Sequence, residues 1–216
     1  MKRMFFALSL TLSLAAAMPA SADTLAISGI NSLVYGQTQY GGEYVGPIGA
    51  SLNGNAINGG INCVDISTST DVPTSYPVTV STLSPLNLNN AKFAGPPSAL
   101  FEYQEAAWLF GQMPSNQSEV GAISFAIWSI FSQNAYQSHG LTTGQQADVV
   151  SWLAKAQAIN VANYNFSSVQ IYTAIPASSN QEFMSGAATP VPLPSALLLL
   201  GPGFLGLVGI RRKYRT

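Results

Sequence analysis

The chain has 216 residues and few charged side chains, nine acidic against eight basic, for a formal net charge of −1. The basic residues cluster at the two ends, so the stretch from Asp23 to Ile210 keeps only Lys92 and Lys155 against all nine acids, a net charge of −7. A lysine-poor, acidic surface disfavours binding to nucleic acid, to anionic lipid headgroups and to acidic polysaccharides.

Residues 1–22 have the three parts of a secretory signal peptide. Lys2 and Arg3 are followed by an apolar stretch from Met4 to Ala17 and by the small-residue site Ala20-Ser21-Ala22. Cleavage by signal peptidase after Ala22 would leave Asp23 as the first residue. The alternative is an uncleaved N-terminal helix.

Residues 23–90 are predicted to form antiparallel β hairpins in a sandwich or barrel-like sheet. Short segments with β-branched or apolar residues alternate with Gly- and Asn-containing turns such as Asn58-Gly59-Gly60. The predicted strands are Thr24 to Tyr35, Glu43 to Leu52, Ile61 to Ile66 and Tyr76 to Leu83. The pattern ends near Lys92 to Pro97.

Residues 98–160 are predicted to form about three helices. Ser98 is a candidate N-cap for the first helix. Asn116 with Glu119, and Thr143 with Gln146, have the spacing of capping boxes that begin a second and a third helix. The second helix is apolar nearly all round, which predicts that it is buried.

The segment from Val169 to Ile175 is predicted to be a returning strand that completes an α+β domain over residues 23–175. Small and polar residues dominate from Pro176 to Pro190. Residues 176–190 are therefore predicted to be a flexible stalk. With Cys63 as the only cysteine, an intramolecular disulfide is excluded and packing must stabilise the domain.

Residues 191–216 combine a proline motif, a predicted transmembrane helix over residues 195–210 and a basic tail over residues 211–216. The motif consists of Val191, Pro192, Leu193 and Pro194, and the basic residues of the tail are Arg211, Arg212, Lys213 and Arg215. Such a tail is held on the cytoplasmic side of a membrane. This order of parts resembles the PEP-CTERM sorting signal of Gram-negative bacteria, although Leu193 stands where the namesake motif has Glu.

The resemblance implies that an exosortase processes the chain near the motif after secretion across the inner membrane. The precursor would be anchored in the membrane transiently, and the mature protein would reach the cell surface or extracellular matrix, with exopolysaccharide as a candidate partner. The alternative is an ordinary C-terminal membrane anchor that is never processed. Against it, residues 195–210 as a helix cover about 24 Å, less than a hydrocarbon core of about 30 Å.

Two motifs of the domain also resemble a known family. Cys63, within Asn62-Cys63-Val64-Asp65, and Ala126-Ile127-Trp128 occur in the order found in the thioester domain of bacterial surface adhesins. In that family a strand cysteine joins covalently to the glutamine of a Thr-Gln-x-Ala-Ile-Trp motif. Here Ser124 stands at the glutamine position, and serine has no amide carbonyl for a thiolate to attack. The resemblance implies a shared scaffold without the reactive link, unless Gln117 or Gln133 replaces the glutamine.

The remaining candidates for chemistry are few. Cys63 is alternatively a small buried apolar residue. His139, the only histidine, lies in a polar turn, and no Gly-x-Ser-x-Gly elbow accompanies it. Glu102 and Glu105 share one side of a helix and are expected to be solvated. One His and one Cys make a metal site improbable, so neither a metal nor a cofactor is expected.

The sequence thus predicts an exported, non-catalytic α+β protein with a structural or adhesive role at the cell surface or in a biofilm matrix. Two alternatives from other classes stay open. One is a covalent thioester adhesin that uses Cys63, and the other is a secreted hydrolase that uses His139.

Overall fold

The computed structural model describes residues 22–29, 34–35, 39–84 and 87–191. Within them the fold is α+β, as predicted from the sequence. A curled antiparallel sheet forms a half-barrel, and helices pack against it.

The strands belong to one large and two small sheets. They are β1 (Asp23–Ile27), β2 (Gln39–Tyr40), β3 (Glu43–Tyr44), β4 (Ala50–Leu52), β5 (Asn55–Ala56), β6 (Asn62–Cys63), β7 (Thr74–Thr82), β8 (Tyr164–Asn165), β9 (Gln170–Ala174), β10 (Phe183–Ser185) and β11 (Thr189–Pro190). The large sheet has the order β5-β4-β1-β7-β9-β10-β6. Strand β2 pairs with β3, and β8 pairs with β11.

Strand β9 is an interior strand of the large sheet, between β7 and β10, and both of its faces are covered. Successive side chains of a strand point to opposite faces. Ile171 accordingly packs into the core that the helices share, whereas Tyr172 and Ala174 pack into a second apolar cluster on the other face of the sheet. The sheet therefore separates two cores.

Four α-helices are described: α1 (Ala99–Gln112), α2 (Val120–Phe131), α3 (Ala135–Ser138) and α4 (Thr143–Gln157). The first nine residues of α2 are all buried, which confirms the prediction made from its apolar surface. The short α3 is the helix that the sequence prediction did not include. Its four residues are too few to show a helical period.

The predicted helix starts are only partly correct. Ser98 stands at the N-cap of α1, but its hydroxyl donates to Glu102 instead of accepting a backbone N–H. The predicted box at Asn116 is wrong, because its side chain donates back to a carbonyl of α1 and a 3₁₀ turn leads into α2. At α4 the capping box is made by Thr142 and Gln145, one residue before the predicted pair.

The predicted flexible stalk is wrong for a large part of residues 176–190. Strand β10 lies within it, and Phe183 and Met184 pair with β9 on one side and with β6 on the other. Both side chains are buried, as is Glu182 immediately before them. A segment of polar and small residues is ordered here because a few apolar side chains reach the two cores.

Three of the four predicted N-terminal strands are shorter in the structure, whereas the fourth corresponds to β7, Thr74–Thr82. The first is described as a strand only for Asp23–Ile27, and the segment from Glu43 to Leu52 divides into β3 and β4. Gly46, with a φ of 89°, lies in the break between those two strands, followed by a proline that has no N–H to donate.

Two groups of predicted features lie outside the described residues. They are the signal peptide up to residue 21, and the sorting signal and basic tail from residue 192 onward. Among the helices that are described, none combines the length and apolar character that crossing a membrane requires.

Candidate functional site

A groove of about 450 Å³ opens between the β2–β3 hairpin, strand β6 with the loop that follows it, and helix α2. We call it the Cys63 groove. Its lining includes Glu43, Tyr44, Cys63, Thr68, Trp128 and His139. It therefore contains two of the residues that the sequence motifs single out, together with the only histidine.

Cys63 and Trp128 are joined directly although 65 residues separate them in the chain. The Trp128 indole Nε1–H donates to the Cys63 carbonyl oxygen at 3.0 Å. Trp128 is only 3% exposed and meets the Phe125 ring edge-on at 4.7 Å between centroids. Helix α2 thus fixes the backbone of β6 at the cysteine.

The Cys63 thiol is held in its protonated form. It donates to the Asp65 carbonyl oxygen at 3.0 Å, and the Asp65 N–H donates to Sγ at 3.3 Å. Burial raises the pKa of the Cys63 thiol far above its ordinary value, and the backbone hydrogen bond only partly offsets this. Because the thiolate is the nucleophile, the raised pKa lowers the reactivity expected of the folded thiol at neutral pH.

The other residues of the degenerate thioester motif make hydrogen-bonding and packing contacts within the fold. Ser124 is fully buried, and its Oγ accepts the N–H of Gly46 at 3.1 Å. It therefore ties the segment after β3 to α2. Ala126 and Ile127 are fully buried in the helical core.

A glutamine that the sequence analysis did not consider lies beside the thiol. Gln181 lines the Cys63 groove, and its Nε2 donates at 3.0 Å to the same Asp65 carbonyl oxygen that accepts from Cys63. The two glutamines proposed from the sequence lie elsewhere. Gln117 is on the 3₁₀ turn before α2, and Gln133 is exposed beyond the end of that helix.

His139 forms a contact with a carboxylate at the rim of the groove. Its Nδ1 lies 3.1 Å from Glu43 Oε1, and its ring meets Phe125 edge-on. A general base needs the nucleophile's proton within hydrogen-bond reach. The contact made by His139 instead fastens the β2–β3 hairpin to the loop before α4.

A buried charge network lies behind one wall of the groove. The Asp65 carboxylate, fully buried, accepts from the Lys92 ammonium and from the backbone N–H and hydroxyl of Ser67. Lys92 also donates to the Thr68 hydroxyl. Burial alone would raise the pKa of the Asp65 carboxyl, but these hydrogen bonds outweigh it and lower the pKa. The network fixes the loop that carries the hydroxyl-rich wall, residues 67–70.

Glu182 extends this network into the core. Its carboxylate accepts from the Lys92 backbone N–H at 2.6 Å and from the hydroxyls of Tyr103 and Thr173. Burial raises the pKa of the Glu182 carboxyl, and the three hydrogen bonds reduce the rise without removing it. One side chain therefore connects β9, α1 and the segment before it.

This network could not be recognised from the sequence, because its members are far apart in the chain. One signal was available. Lys92 is one of two lysines between Asp23 and Ile210, and Glu182 is the only charged residue in the predicted stalk. An isolated charge in a weakly charged chain is a reasonable candidate for a buried pair.

Comparisons of the chain with protein-family models, with curated proteins and with solved structures find no match.

We expect the Cys63 thiol of the folded protein to react with iodoacetamide at pH 8 at least about tenfold more slowly than in the unfolded protein, because its raised pKa suppresses the thiolate. Mass spectrometry of samples with and without guanidinium measures both rates. Cys63→Ser supplies the background. Equal rates in the two samples would contradict the protected environment, and no reaction in the unfolded sample would mean that the sulfur is already bonded.

Proposed function

We propose that this protein is exported and non-catalytic, and that a PEP-CTERM-type signal delivers it to the cell surface or extracellular matrix, where it has a structural or adhesive role. The observation that carries the proposal is the match between the folded domain and the processing sites predicted from the sequence. Strand β1 begins at Asp23, and β11 ends at Pro190, directly before the proline motif. Processing at both sites would release an intact domain.

The last described residues support this boundary. Strand β11 pairs with β8, and the Val191 N–H donates to the Asn163 carbonyl oxygen at 2.8 Å. The hydrogen bonding of the domain therefore reaches Val191, the first residue of the sorting motif. An exosortase acting near Pro194 would cut after strand β11.

The chemistry of the Cys63 groove supports binding better than catalysis. The thiol is held protonated, and the imidazole contacts a carboxylate. The wall formed by residues 67–70 is a row of Ser and Thr residues, and Tyr44 at the rim is 52% exposed. Uncharged hydroxyls beside an accessible aromatic ring suit a neutral sugar, which agrees with an exopolysaccharide as partner.

The proposal is tested by the intact mass of the protein recovered from the membranes and from the medium of its own host. We expect the mature chain to begin at Asp23 and to end near Pro194. A host strain without its exosortase is the control, and there the C-terminal part should be retained. A wild-type chain that ends at Thr216 in every fraction would make the protein a permanently anchored one and overturn the sorting proposal.

A second candidate is the covalent thioester adhesin, and the position of Gln181 favours it. The Cys63 sulfur would bond to the side-chain carbonyl carbon of Gln181, the C–N bond would break, and ammonia would leave with the thiol proton. The same mass spectrum tests this candidate, because the bond lowers the intact mass by one ammonia. Cys63→Ser should not show this deficit. Full mass in protein kept from added nucleophiles would reject the thioester.

A further inference from the structure

A second cavity, of about 440 Å³, lies among the helices and shares no lining residue with the Cys63 groove. Helix α1 contributes Glu102 and Glu105 to its lining, and the turn between α2 and α3 contributes Gln133 and Asn134. Gln157 lines it from the end of α4. We call it the Glu105 cavity.

Glu105 is the unusual residue of this cavity. It is only 6% exposed, and no hydrogen bond or ion pair reaches its carboxylate from the described residues. The other two buried carboxylates, Asp65 and Glu182, each accept at least three hydrogen bonds. Burying a carboxylate without a hydrogen-bond or ion-pair partner is unfavourable in free energy. A cavity lined by such a carboxylate is therefore complementary to a cation. Glu105 is thus more buried than expected from the sequence, whereas Glu102 on the same side of α1 stays partly exposed.

The rest of the lining offers acceptors and no competing cation. The carboxamides of Gln133, Asn134 and Gln157 have no side-chain hydrogen bond within the described residues, and each presents a carbonyl oxygen. The Ser129 hydroxyl donates to the Phe125 carbonyl oxygen, so the Ser129 oxygen can still accept a hydrogen bond. The lining contains no Lys, Arg or His.

We propose that the Glu105 cavity binds the primary ammonium group of a small organic molecule, with Glu105 as its counter-ion. An ammonium group has three donors, which match a carboxylate and the neighbouring carbonyl oxygens. The volume and the apolar side chains of Ile130 and Leu153 accommodate a carbon skeleton about the size of a six-membered ring. Among the described residues, no three His, Cys, Asp or Glu side chains assemble as a metal ion would require.

The protonation of Glu105 makes this binding depend on pH. Burial, and then the charge of Glu102, raise the pKa of the Glu105 carboxyl to about 7. The titratable groups that line the cavity with it are Glu102 on the same helix and Tyr136 on α3, and the lining residues of α2 and α4 carry no titratable group. An ammonium ion therefore meets an ionised Glu105 at pH 8 and a neutral one at pH 5.

The test is calorimetric titration of the full chain with trans-4-aminocyclohexanol, whose amine stays charged at both pH values, and with its uncharged N-acetyl derivative. We expect the amine to bind at pH 8 at least about tenfold more tightly than at pH 5, and at least about tenfold more tightly than the N-acetyl compound. Glu105→Gln keeps the shape of the side chain and should weaken amine binding by a similar factor.

Asp148→Asn is the matched control, because it removes an acid from the exposed side of α4 away from the cavity. It should leave amine affinity within about twofold. Equal binding of the two compounds, or unchanged binding by Glu105→Gln, would overturn the proposal. Binding of Ca²⁺ with no binding of the amine would also overturn it. The pH dependence of the wild-type chain tests the proposal without any variant, and none of these results depends on how the chain is sorted.

Discussion

Lys92→Met is expected to lower the free energy of unfolding by about 3–5 kcal/mol, because it leaves a buried carboxylate without its counter-ion. Asp65 is fully buried, and the Lys92 ammonium is the cation that reaches it. The same ammonium holds the Thr68 hydroxyl on the groove wall. Methionine keeps the length of the side chain and removes the charge, so packing is nearly unchanged. Urea denaturation at pH 7 measures the loss.

Lys155→Met is the matched control for this substitution. The Lys155 ammonium lies 3.8 Å from the centroid of the Trp152 ring, on the exposed side of α4. Such a contact contributes about 0.5–1 kcal/mol. The double variant Asp65→Asn with Lys92→Met should regain part of the stability that the single variant loses, because no buried charge then stays unpaired. Similar losses for the two lysine variants would mean that Asp65 is not a buried partner of Lys92.

The network also determines how stability responds to acid. The pKa of the Asp65 carboxyl is lowered in the folded protein, so its contribution is present above the unfolded pKa, about 4. That contribution is lost as pH falls through the folded pKa. Lys92→Met removes it, and the difference in stability between wild type and variant should therefore shrink on acidification.

The helical half of the fold could be predicted because its signals are local. Helix α2 has apolar residues on every side, and the structure buries it as expected. The start of α4 shows where a local signal stops being sufficient. The sequence Thr142-Thr143-Gly144-Gln145-Gln146 contains two overlapping capping boxes, and only the fold selects the first. The two candidate capping boxes differ only by a shift of one residue, so the sequence pattern alone does not distinguish them.

The sheet could be predicted less well because several of its paired strands are distant in sequence. Cys63 of β6 lies opposite Phe183 of β10, and a three-residue strand is too short to show alternation. The candidate site follows the same division. Cys63 and Trp128 were identified from short motifs, whereas Gln181 and Glu182 belong to the segment whose composition indicated a stalk. Burial of Glu105 could not be read from its helix, since it depends on α2, α3 and α4.

Gly186→Ala is expected to lower the free energy of unfolding by about 2–4 kcal/mol. Gly186 directly follows β10 and has a φ of 72°, a left-handed conformation that costs alanine about 1–2 kcal/mol. A Cβ atom there would also overlap the Ser168 carbonyl oxygen and approach the Ser168 carbonyl carbon to 2.8 Å. Both atoms belong to the backbone, so the clash cannot be relieved by a change of rotamer.

Gly95→Ala is the control, because a Cβ atom there meets nothing within 4 Å and its φ is not in the left-handed region. It should change the free energy of unfolding by less than about 0.5 kcal/mol. Comparing the two glycine variants also distinguishes the ordered segment of the structure from the flexible stalk predicted from composition. In a flexible stalk, alanine at position 186 would be as harmless as at position 95. A large loss in the free energy of unfolding for Gly186→Ala alone therefore requires that the segment before the sorting motif is part of the folded domain. Small, equal effects for the two variants would mean that this segment is a flexible linker.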